Sequence, residues 1–165
     1  MKKRSKYKPK PVIVDPMAWV TGGMLPVSAA KEAMLNLGIK NHGALACLVK
    51  GAGTRADAVM LRSAFITARA LAMLDLGKEY WDDLQKAQVT IAEMIARGDA
   101  SGRYLFRGPE ISIVNLGMEI HEAQMDVCTI AKLEEAVKLA LNVVTKILLT
   151  SCNREGSYYN HDSMC

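Results

Sequence analysis

Apolar residues return every three or four positions over most of this chain, the spacing that lines one face of an α-helix. The run from 55 to 76 places Met60, Leu61, Ala64, Phe65, Ala68, Leu71 and Ala72 on such a face, with Thr54 ready to cap the first turn and Gly77 to end the last. Residues 78–97 repeat the signal. Tyr80, Trp81, Leu84, Ala87, Gln88, Ile91, Met94 and Ile95 form a stripe, and Asp82, Asp83, Lys86 and Glu93 fall largely off it. Pro109 opens a third long helix reaching about Val127. Thr129 caps a fourth over 130–149, whose Leu133, Ala136, Val137, Ala140, Leu141, Val144, Ile147 and Leu148 make a broad face for a core.

The first third of the chain reads as shorter pieces. Asp15-Pro16 is a helix start, and Gly22-Gly23 close that helix soon after. Ser28 caps a segment over 29–37 that Gly38 ends, and a further segment, 44–49, is bracketed by Gly43 and Gly51. Gly98 to Gly102 reads as a loop, and Arg103 to Arg107 as one short strand without a partner. Short connections between long helices make neighbours antiparallel. The expected fold is therefore all-α, a single-domain antiparallel bundle of about five helices with short N-terminal helices and at most one short strand near 103–107. The helical domain spans 15–150, between a basic flexible tail at 1–14 and a flexible C-terminal tail at 151–165.

Composition agrees with this reading. Half of the residues are hydrophobic and only 5% are aromatic, a balance that favours helix over sheet. A chain of 165 residues is long enough to close one core without disulfides or metals. Cys47, Cys128, Cys152 and Cys165 are widely spaced and follow no secretory segment, so free thiols in a reducing compartment are expected. Apolar runs such as Ile147-Leu148-Leu149 fall well short of the ~20 residues that cross a bilayer, and a cytoplasmic location without a membrane partner follows as the expectation.

Charge changes the picture at one place only. The net charge is +4, yet six of the 21 Lys and Arg residues fall among the first ten positions, leaving 15 basic against 17 acidic residues in the rest. Lys2, Lys3, Arg4, Lys6, Lys8 and Lys10 are thus the candidate nucleic-acid contacts, able to neutralise phosphates in a salt-sensitive, sequence-independent way. The plainer reading is a solvated arm. Arg55, Arg62 and Arg69 recur at seven-residue intervals on one helical face and could extend a basic surface.

Four constellations invite chemistry, and each lacks a part. Gly51-Ala52-Gly53-Thr54-Arg55-Ala56 fits G-x-G-x-x-[GA], but a dinucleotide site needs further parallel strands, so a turn between helices is expected. Residues 30–49 could form a helix-turn-helix-like hairpin reading DNA. Its second helix, however, offers Leu45, Ala46, Cys47, Leu48 and Val49 where base readout needs polar side chains. Glu119, His121, Glu122 and Asp126 crowd one segment, but Glu119 and His121 point about 200° apart on a helix and cannot readily share an ion. Cys152, His161 and Cys165 supply three zinc ligands where a structural site wants four in tight pairs. No nucleophile elbow or Walker loop occurs. No enzyme activity, cofactor or metal is therefore expected.

Lys2 to Val20, KKRSKYKPKPVIVDPMAWV, resembles the N-termini of small proteins of tailed bacteriophages and prophages, in which a Lys/Arg-rich start, a Tyr, alternating Pro and an Asp/Met-Ala entry recur. The resemblance covers about an eighth of the chain. It implies an origin rather than an activity: an early or accessory phage protein acting in a bacterial cytoplasm, with no catalytic residue to carry over. Ten methionines suit adaptable apolar contacts, and the function expected first is a non-enzymatic accessory or regulatory protein that binds a host or phage protein, a homodimer being one form. Nucleic-acid binding through the tail and the 30–49 hairpin is the second reading. Binding of a nucleotide or another small ligand between helices is the third.

Overall fold

The computed structural model describes residues 16–155, with side-chain surroundings followed as far as residue 142. Six α-helices follow in order: α1 (Pro16–Met24), α2 (Lys31–Lys50), α3 (Arg55–Met73), α4 (Trp81–Ser101), α5 (Gly108–Val127) and α6 (Ile130–Glu155). Single 3-10 turns at Val27–Ala29 and Lys78–Tyr80 lead into α2 and α4. The described residues thus form an all-α bundle. An isolated bridge of Gly53 with Tyr104 takes the place of the strand expected near 103–107, and a second joins Pro26 to Thr129.

Side-chain partners fix the directions of the helices. Arg69 meets Trp81 and Gln88, whereas Arg55 meets Asp99, so α3 and α4 are antiparallel. Arg97 binds Glu110 and Ala87 faces Gly117, so α4 and α5 are antiparallel as well. One core joins α2, α3, α4 and α5 through Leu48, Leu61, Phe65, Ile91, Met94 and Met118. A second joins α3, α5 and α6 through Leu71, Met125, Cys128 and Ala136. Helix α3 therefore takes part in both. Gly117 lets three helices meet, since a Cβ there would stand 2.8 Å from the Ala87 Cβ and 3.1 Å from the Phe65 ring.

Helix ends follow their local chemistry in several places. The Thr54 hydroxyl accepts from the Asp57 N–H, while the Asp57 carboxylate accepts from the Thr54 N–H at 2.8 Å, a reciprocal capping box. The Thr54 hydroxyl also donates to that carboxylate at 2.7 Å, and this bond, with the one from the Thr54 N–H, holds the Asp57 carboxyl below its usual range. Gly51 and Gly102 close α2 and α4 in the left-handed region, at φ 73° and 74°.

Elsewhere the expected boundaries need correction. The segments 29–37 and 44–49 are one helix, α2, which passes through Gly38 and Gly43. Neither glycine has positive φ, and a Cβ at either would meet nothing within 4 Å. Each costs about 1 kcal/mol of helix propensity. Burial of Ala44, Leu45 and Leu48 on the same helix outweighs that. The helix-turn-helix-like hairpin 30–49 is accordingly absent, because there is no turn. Gly22-Gly23 likewise lie inside α1, where Gly23 packs on Ala131 of α6. Helix α4 continues through Gly98 to Ser101 because the Tyr104 ring lies against Gly98, where a Cβ would stand 2.3 Å from a ring carbon. Helix α6 runs to Glu155, so the tail expected from 151 is helical in its first five residues. Residues 1–15, with all six candidate nucleic-acid contacts, and residues 156–165, with His161 and Cys165, lie outside the described residues.

Candidate functional site

Helix α5 carries a stripe of Val114, Met118, His121 and Met125, spaced so that all four turn to one side, and all four are buried. A histidine on such a stripe enters the core. His121 is 4% exposed, and its Nδ1 finds no hydrogen-bond partner. Burial pushes its pKa from 6.5 down to about 4, against the opposing pull of the Glu122 carboxylate. At neutral pH the ring is uncharged.

The His121 ring lines a groove of about 570 Å³ where four helices meet. Helix α2 supplies Leu37 and Asn41; α3 supplies Ala56, Val59, Met60, Ser63, Ala64 and Thr67; α5 adds His121 and Met125; α6 adds Leu133 and Val137. No residue of this lining is charged at neutral pH. The two hydroxyls turn back on their own helix, Ser63 donating to the Val59 carbonyl at 2.9 Å and Thr67 to the Ser63 carbonyl at 3.0 Å. The apolar wall is open to solvent: Leu37 is 38% exposed, Val59 41%, Met60 38% and Val137 41%. On α3 this follows from position, because Ile66, Ala70 and Leu71 pack into the core shared with α6 and Val59 and Met60 are not part of it.

Leu37, Asn41, His121 and Met125 line both this groove and an adjoining cavity of about 250 Å³, which Glu122 and Asp126 also line. The His42 ring bonds the Glu122 carboxylate, tying α2 to α5 over a separation of 80 residues. Glu122 and Asp126 thus share one face of α5, while Glu119 lies in a different cavity. Among the described residues, no three His, Cys, Asp or Glu side chains come together as a metal site would require. In the sequence His121 stands out for its acidic neighbours, which give no sign of its burial. Its register with Val114, Met118 and Met125 was the signal.

The other candidates are dispersed. Gly51 to Ala56 forms the turn from α2 to α3 and the start of α3, closed by the capping box. Two of the three arginines of α3 are engaged with α4. Arg55 donates to Asp99 at 3.0 Å, and Arg69 lies over the Trp81 ring at 4.6 Å and donates to Gln88, its burial lowering its pKa. Asp99 also accepts from the Tyr104 hydroxyl at 2.5 Å, which holds its carboxyl below the usual range. Cys47 and Cys128 are free, and burial raises the pKa of the Cys128 thiol, so it is a poor nucleophile. Among the described residues, no helix is long and apolar enough to cross a membrane. Comparison of the chain with protein-family models, with curated proteins and with solved structures finds no match in any of the three.

Proposed function

We propose that this protein acts by binding protein rather than by catalysing a reaction, as an accessory or regulatory protein of phage type in a bacterial cytoplasm, and that a second copy of the chain occupies the groove at His121. The observation that carries this reading is the open apolar wall of Leu37, Val59, Met60 and Val137, contributed by three helices around an uncharged floor. Val137 belongs to the α6 stripe that periodicity assigns to a core, yet one chain leaves it 41% exposed. A contiguous apolar patch of this kind marks an interaction surface.

Charge favours a second copy as the occupant. A two-fold contact sets a surface against itself, so any charge on it near the axis meets its own like. This wall has none, and His121 is neutral at pH 7. The double variant Met60→Glu, Val137→Glu places carboxylates on that wall at positions already 38% and 41% exposed, where folding tolerates them. Sedimentation velocity over a concentration series is expected to show reversible association for the natural chain and association at least tenfold weaker for the variant. Equal association of both proteins would remove the groove from the account.

A further inference from the structure

Asn41, Ala44, Leu45 and Leu48 turn one side of α2 into the molecule. On the opposite side Leu35 is 64% and Ile39 61% exposed, and Gly43 and Ala46, also exposed, continue the same face toward the C-terminus. This ridge is graded, bulky in its first half and small in its second. A Cβ at Gly43 would meet nothing within 4 Å, so packing inside the chain gives no reason for a glycine that weakens the helix. Glu32 and Lys50 stand at the two ends of one flank of the ridge, about five turns apart, and both are exposed. Among the described residues neither has an ion-pair partner.

We propose that the outer face of α2 docks on the same face of a second copy, with the two helices antiparallel. A two-fold axis beside Asn41 sets Ile39 over the space at the second copy's Gly43, Leu35 against its Ala46, and Glu32 beside its Lys50. Each of these contacts occurs twice. Bulk then meets small side chains along the whole ridge, and acid meets base at both ends. A parallel pair would set Leu35 on Leu35 and Glu32 on Glu32, bulk on bulk and like charge on like. His42, near the axis, is engaged with Glu122 of its own chain. The contact lies on the opposite side of α2 from Leu37 and is separate from the groove at His121, so it joins molecules that the groove has already paired. One helix from each copy covers less than a standard interface, and the contact forms only at roughly millimolar concentration, above the range in which the groove fills.

The full chain carrying Met60→Glu and Val137→Glu isolates this contact, and sedimentation equilibrium up to about 1 mM reads it. In that background Glu32→Lys alone and Lys50→Glu alone are each expected to weaken self-association about fivefold, because each sets like charges together at both ends. The two single variants mixed in equal amounts, and the chain carrying both changes, are expected to regain the association of the background. Gly43→Leu fills the space that receives Ile39 and is expected to abolish association while the helical circular dichroism is kept. A background that stays monomeric throughout, charge variants that associate like it, a mixture that does not recover, or association indifferent to Gly43→Leu would overturn the contact. Failure here is distinct from failure of the groove reading, which is measured on the natural chain against the groove variant with α2 unchanged.

Discussion

Truncating Phe65 to alanine is expected to cost about 3–5 kcal/mol of unfolding free energy, the largest single effect in the bundle. Its ring is fully buried where α3, α4 and α5 converge, and it lies against the gap left by Gly117. Removing it leaves a cavity that the backbone cannot close, because Ala87 and Gly117 already stand as near as their atoms allow. Urea unfolding should show a lowered midpoint with an unchanged slope. Val89→Ala, at a position 48% exposed on α4, is the matched control and should change stability by no more than about 0.5 kcal/mol. Equal losses in the two variants would mean that the convergence of helices at Phe65 is not where the stability resides.

Acid should weaken the fold through His121. Its folded pKa, about 4, lies below the ordinary 6.5, so between those values the unfolded chain holds the extra proton and stability falls as pH falls. The interval corresponds to about 3 kcal/mol, fully lost only below pH 4. Carboxylates elsewhere also titrate over this range, and the comparison with His121→Leu isolates the imidazole. That variant removes the orphaned Nδ1 and offers a side chain compatible with Val114, Met118 and Met125. It should be at least as stable as the natural chain at pH 7 and should lose markedly less between pH 6.5 and 4. Parallel pH profiles for the two proteins would show that His121 gains its proton without opening the fold.

Much of the architecture was legible because its causes are local. Thr54 caps the start of α3, and Gly51 ends α2 at a position that only a left-handed residue fills easily, whereas α4 runs four residues past the expected 97 before Gly102 ends it. The continuity of α2 was not legible. Gly38 and Gly43 weaken the helix locally, and what restores it is burial against α3 and α5, contributed by residues distant in the chain. The site shows the same division. The stripe that buries His121 is written in α5 alone, but the cavity it lines together with Asn41 and the bond from His42 to Glu122 join segments some 80 residues apart. Periodicity also placed Val137 inward, because a stripe states which face is apolar and not whether one chain supplies enough surface to cover it.

That uncovered face is the centre of the account, and the mass of the protein in solution tests it most directly. Light scattering on the intact chain, eluted at concentrations well above micromolar at pH 7, should return twice the 18.0 kDa of a single copy. A constant 18.0 kDa at every concentration would contradict it.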